Sequence, residues 1–149
     1  MKDIDIAKEM LEKENLSLVV VKDCDVVYKS NDKGIKPMYY VVTNLLQIAR
    51  GSSIADRVIG KGAAMLCKVL GVKEVYTPLI SEAAIKVLKE ANIPFSYHKS
   101  CPYIMNMQQT GLCPIEKTAM ESENEMVFLG RLKDFLKINN VKCDIIGTK

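Results

Sequence analysis

Asp56, Cys113 and Glu116 are the side chains of this 149-residue sequence best suited to chemistry. Cys113 and Glu116 lie together in Gly111-Leu112-Cys113-Pro114-Ile115-Glu116, where Pro114 reads as the first residue of a helix and Cys113 as its cap. Helix N-termini stabilise thiolates. Glu116, one turn on, can reach back to the cap N–H, so a nucleophilic thiol and a carboxylate would share one helix start for covalent or acid–base work. The same pattern also describes a small buried cysteine ahead of an ordinary proline-led helix.

Asp56 sits differently. Ser53 and Asp56 form the S-x-x-D pattern of a capped helix start, and the predicted helix runs to about Leu70, before Gly71 at the position that favours left-handed backbone. Along it Asp56, Gly60, Ala63, Ala64 and Cys67 share one side. A carboxylate beside a stripe of tiny side chains makes either a binding floor or a face packed closely on a sheet, with Asp56 as a cap. Gly60 and Gly62 would each cost about 1 kcal/mol inside a helix, which something must offset. Arg57, Lys61 and Lys68 fall on another side, as a solvated face or a phosphate contact. Gly60-Lys61-Gly62 is not a phosphate-binding P-loop, since Ala55 stands where that motif needs Gly and Gly62 where it needs Ser or Thr.

Metal chemistry has little to work with. His98 is the lone histidine, and His98, Cys101 and Cys113 allow a three-ligand set only on paper, with no C-x-x-C to support it. A Cys113–His98 catalytic pair has no local signature either. Asn106, after Cys101-Pro102-Tyr103-Ile104-Met105, could orient a ligand or satisfy loop backbone. No metal site and no cofactor are expected.

The elements that must position these residues can be read in order. Residues 3–14 suggest a short helix, and Leu16 to Val21 with Val26 to Lys29 a hairpin turned through Lys22-Asp23-Cys24-Asp25. Pro37 opens a helix to about Ala49. After the helix that ends at Leu70 come a strand over Val72 to Ile80, a helix capped by Ser81 and ended by Asn92-Ile93-Pro94, and a strand from Phe95. Such alternation signals crossovers and a partly parallel sheet, hence an α/β fold. Cys113-Pro114 then opens a short helix, Glu125 to Ile138 reads as an amphipathic one, and residues 139–149 as a tail. No repeat, linker or second domain breaks the chain, so a single domain is expected over residues 1–149.

Composition narrows the partners. A net charge of +3 from 21 basic and 18 acidic residues, interspersed, with no Trp and no basic patch among aromatics, does not point to nucleic acid. No run approaches the roughly 18 apolar residues of a membrane span. Residues 1–14 alternate charge with isolated apolar positions, unlike a signal peptide. Five unpaired-looking cysteines then favour reduced thiols and a cytoplasmic setting.

Three phrases carry a resemblance: Ile54-Ala55-Asp56-Arg57-Val58-Ile59-Gly60-Lys61-Gly62-Ala63-Ala64, Val75-Tyr76-Thr77-Pro78-Leu79-Ile80-Ser81-Glu82, and Thr110-Gly111-Leu112-Cys113-Pro114-Ile115-Glu116. With the order of elements, they look like a bacterial domain-of-unknown-function family whose fold is cytidine-deaminase-like. That resemblance implies a three-layer α/β fold, a mixed sheet with an N-terminal antiparallel hairpin, and helices on both faces. Zinc deaminases carry H-A-E or C-A-E at one helix start and P-C-x-x-C at the next. Judged by helix order, Ile54-Ala55-Asp56 stands at the first place, and Ser81 and Ala84 at the paired cysteines, so the deaminase zinc is not expected. Asp56 survives in the place of the proton-shuttling Glu.

What the resemblance implies for function is correspondingly specific in residues and open in substrate. Asp56, Cys113 and Glu116 are the expected catalytic groups, and Gly60, Lys61, Ser81 and Glu82 the expected ligand contacts, to which the loop reading adds Asn106. The first expectation is a zinc-independent enzyme acting on a small nucleoside-like molecule. The alternatives are a non-catalytic module that binds a small molecule or nucleotide, and an oligomeric interaction protein. Homo-oligomerisation is implied because deaminase-like folds commonly assemble.

Overall fold

The computed structural model describes residues 1–106 and 111–146, with residues 138–146 as helix backbone alone. Thr110 of the third phrase, the side chain of Cys143 and residues 147–149 lie outside what is described. No helix among the described residues is long and apolar enough to cross a membrane.

The chain opens with α1 (Asp3–Lys13), then the hairpin β1 (Leu18–Lys22) and β2 (Asp25–Ser30). Lys22 pairs with Asp25, leaving a loop of Asp23 and Cys24, both at positive φ (52° and 69°). That is the backbone of a turn whose twist matches the strands. Asp3 holds it by accepting both loop N–H groups, Asp23 at 3.0 Å and Cys24 at 2.9 Å. Cys24 is exposed, with a free thiol. Cys24→Gly should therefore stabilise the fold by about 0.5 kcal/mol, the left-handed penalty less the freedom glycine adds to the unfolded chain, read as a higher urea midpoint.

The helix expected from Pro37 to Ala49 is two, α2 (Lys36–Asn44) and α3 (Leu46–Ala49). Thr43 and Asn44 explain the break. Their side chains donate to the carbonyls of Tyr39 (2.9 Å) and Tyr40 (3.3 Å), and such back-bonding competes with a regular ladder.

A larger departure follows. Residues 53–59 are not the first turn of a helix but two short strands, β3 (Ser53–Asp56) and β4 (Val58–Ile59), and the helix α4 starts only at Lys61 and runs to Leu70. Neither Ser53 nor Asp56 is its cap. Gly60 is the cap and Gly62 the second helical residue, so the expected glycine penalty inside a helix does not arise. Strand geometry wins because side chains here must alternate between two cores: Ile54 belongs to one and Ala55 to the other. The left-handed stop at Gly71 (φ 66°) is as read from the sequence.

The next elements are β5 (Glu74–Ser81), α5 (Glu82–Glu90), β6 (Phe95–Cys101), α6 (Pro114–Met120) and α7 (Glu125–Ile146). Residues 139–146, expected as a tail, continue α7.

Among the described residues six strands form one mixed sheet in the order β2-β1-β3-β5, with β4 and β6 also on β5. β1 runs antiparallel to β2 and β3, whereas β3, β4 and β6 run parallel to β5. Ala55 pairs with Tyr76 and Val58 with Leu79, so β3 and β4 keep one register along β5 and form a single strand interrupted at Asp56-Arg57. There β1 runs out, its flank ending with the Arg57 N–H donating to the Ser17 carbonyl (2.9 Å). Leu18 and Val20 face the larger core, with α2, α4, α5 and Phe128 of α7. Val19 and Val21 face the smaller one, against Ile4, Ala7 and Leu11 of α1. Helices thus lie on both faces of the sheet.

Candidate functional site

The interruption at Asp56-Arg57 opens a cavity of about 460 Å³ at the C-terminal end of β3 and the start of α4, where open α/β sheets usually take ligands. Its size lies in the range of small-molecule sites. Asp56, Arg57, Val58, Gly60, Gly62 and Ala63 supply one wall. Leu16 and Ser17 before β1, Lys33 and Ile35 before α2, and Ile104, Cys113, Ile115 and Glu116 around the start of α6 also line it, together with Asn15, Asn31 and Gly34.

Asp56 is half-buried, open to the cavity and otherwise enclosed by protein. Burial raises its carboxyl from 3.8 to about 7, although the N–H groups of Val58 and Arg57 and the Arg57 charge pull the other way. The neighbouring Cys67, on α4, is buried, and its thiol is pushed up by that burial and by the Asp56 charge. Cys67 is therefore a neutral core residue.

Arg57 does not stand on a helix face as expected. Its guanidinium turns inward, Nε and Nη2 donating to the Leu16 carbonyl (3.1 and 2.7 Å) and Nη2 to that of Leu11 (2.9 Å). It thereby adds a second donor to the Leu11 carbonyl at the end of α1, which the Leu16 N–H also reaches at 3.0 Å.

Glu116 is 2% exposed. Its Oε1 accepts the Lys61 N–H at 2.6 Å, so a carboxylate from α6 caps α4, whose own cap residue has no side chain. This is not the cap of its own helix that the sequence suggested. Gly60 is what lets it approach: a Cβ there would overlap Glu116 Oε1 and come within 3.0 Å of Ile104 Cγ1. Cys113 is the N-cap of α6 but makes no side-chain cap bond, and its half-buried thiol faces the same cavity.

The structure therefore brings Asp56, Gly60, Cys113 and Glu116 to one cavity, with Lys61 joined through its backbone. Ser81, Glu82 and Asn106 do not line it. Ser81 is buried and accepts the Ala84 N–H as the cap of α5, Glu82 is exposed, and the Asn106 N–H donates to the Gly111 carbonyl. His98 is exposed on β6 and outside the cavity, so it does not pair with Cys113 there. Lys33, Ile35 and Ile104 are among the cavity residues to which sequence reasoning gave no role, and Arg57, read as a solvated or phosphate-contacting side chain, lines the cavity as well.

A deaminase zinc does not fit these residues. Ile54 is wholly buried on β3, and Ser81 and Ala84 are engaged with each other at the start of α5. The true start of α4, Gly60-Lys61-Gly62, offers no imidazole or thiolate. Asp56 accordingly lies on a strand end, not at the helix start of the proton-shuttling Glu. Among the described residues no group of three His, Cys, Asp or Glu is placed to hold a metal ion.

A crystal structure of a DUF1893 family protein, TM1506, from Thermotoga maritima superposes with a TM-score of 0.77 at 25% identity, over 90% of each chain. RibD from Acinetobacter baumannii matches at a TM-score of 0.44 and 16% identity, over 64% of this chain and 33% of its own. No curated protein matches the sequence. The profile of the TM1506 domain of unknown function, DUF1893, matches residues 6–136, and the chain belongs to that family.

Proposed function

We infer that this chain uses a deaminase-like fold without zinc, as a site for a small, nucleoside-sized molecule that exchanges a proton with Asp56. The observation that carries the reading is the Asp56 carboxyl, lodged in the cavity and raised to about 7, so that it is half-protonated near neutral pH. A carboxyl poised there can give or take a proton from a bound molecule, whether it binds or reacts. Glu116 lies in the same lining as a second acid, and Cys113 as a thiol beside it.

The catalytic form of the reading makes Asp56 the general base and Cys113 or Glu116 the nucleophile or second acid. The non-catalytic form keeps the cavity and drops the chemistry. A thermal-shift screen with nucleosides, bases and nucleotides, followed by mass spectrometry of any hit, separates them. A hit whose midpoint rise is lost in Asp56→Asn, with its mass unchanged on incubation, supports binding alone. A mass change abolished by Asp56→Asn supports catalysis. Hits that ignore Asp56→Asn would count against the site itself.

A further inference from the structure

The charged groups of the cavity are unevenly engaged. The Arg57 guanidinium is turned to the carbonyls of Leu11 and Leu16. The N-terminus of α4 already faces a carboxylate, through the Lys61 N–H and Glu116 Oε1. The other carboxylate oxygen, Glu116 Oε2, is buried and has no hydrogen-bond partner among the described residues. A carboxylate oxygen in that condition is costly, and a donor that reaches it is correspondingly favoured. Asp56 lines the same space, and Lys33, the other side-chain cation of the lining, is exposed. Leu16, Ile35 and Ile104 add apolar wall to it.

We propose, building on the small-molecule reading above, that the occupant is an organic cation: an amidinium, guanidinium or ammonium head held by Glu116 and Asp56, on an apolar body along Leu16, Ile35 and Ile104. A donor-rich head answers the unpartnered oxygen, whereas a phosphate or carboxylate would meet two acids. Planar amidinium and guanidinium heads match a carboxylate with paired N–H donors. The charged or titratable groups acting on Asp56 are Arg57 beside it and Cys67 on α4, and Cys113, Glu116 and Lys33 share the cavity lining with it. Because Asp56 ionises around pH 7, affinity for the cation should rise with pH through that point.

Benzamidine, benzamide and benzoate share a ring and differ in charge, and each would be titrated into the full chain by calorimetry at pH 6 and pH 8. Benzamidine alone should bind, more tightly at the higher pH. Glu116→Gln should weaken it about tenfold by removing the charge while keeping an acceptor for Lys61. Asp56→Asn should flatten the pH dependence, and Val58→Phe, at a partly exposed position of the lining, should obstruct binding. Equal binding of benzamide or benzoate would overturn the proposal, as would benzamidine binding that all three variants leave unchanged. A neutral or anionic compound that binds and is blocked by Val58→Phe would overturn the cation while leaving the small-molecule reading in place. No binding by this series or by the nucleoside screen would remove both.

Discussion

Gly60→Ala should destabilise the protein by about 2 kcal/mol, and most of that loss should disappear when Glu116 is also replaced by alanine. The Gly60 backbone, at φ −95° and ψ −174°, is extended and open to any residue, so the penalty is not conformational. It is steric: the new Cβ would overlap Glu116 Oε1 and crowd Ile104 Cγ1. Glu116→Ala alone should cost about 3 kcal/mol, since it strips the Lys61 N–H of its acceptor and leaves a void where a buried side chain stood. With the carboxyl gone, the nearest remaining contact of alanine at position 60 is Ile104 Cγ1, at a distance that a shift of a few tenths of an ångström relieves. The two losses should therefore fall short of adding by about 1–2 kcal/mol in urea midpoints measured on all four proteins. Strict additivity would mean that Glu116 does not press on Gly60, and the capping of α4 from α6 would fall with it.

How legible this arrangement was in the sequence depended on the distance over which each decision is made. Ser81 caps α5, Gly71 ends α4, and Asp23-Cys24 turns the hairpin, all from signals within a few residues. The segment from Ser53 to Ile59 was misread because its strand character comes from neighbours far along the chain, β1 on one side and β5 on the other. Its S-x-x-D pattern is local, and tertiary pairing overrode it. One warning was present: Gly60 and Gly62 were poor helix-interior residues, and they sit at the helix start instead. Asp56, Cys113 and Glu116 were all singled out from sequence, and all line the cavity. The partnership of Glu116 with Lys61 spans 55 residues and left no local trace. The same holds for the Arg57 guanidinium, whose acceptors lie 41 and 46 residues away.

Asp56→Asn should make the protein more stable than the wild type at pH 8 and leave the two nearly equal at pH 4. The Asp56 carboxyl rises from 3.8 to about 7 on folding, chiefly by burial, so the folded state holds the proton more tightly than the unfolded chain does. Its contribution is then fully present below the unfolded value, declines as pH climbs from about 4 to about 7, and is gone above that. A rise of this size corresponds to about 4 kcal/mol, and solvent access through the cavity screens it to roughly 2 kcal/mol. Asparagine cannot ionise, keeps an oxygen for one of the Val58 and Arg57 N–H groups, and so removes the decline without removing the acceptor. Groups common to both proteins cancel in the difference, which isolates Asp56 from the rest of the titration. Urea midpoints at pH 4, 6 and 8 should show the wild type falling behind the variant across that window and running parallel to it beyond. Parallel curves throughout would mean that Asp56 ionises in the folded protein as it does in the unfolded chain, and the proton exchange on which the functional reading stands would have no basis. A gap that widened toward low pH would reverse the sign and place Asp56 in a site that favours its charge, as the nearby Arg57 would if its guanidinium were not drawn away by Leu11 and Leu16.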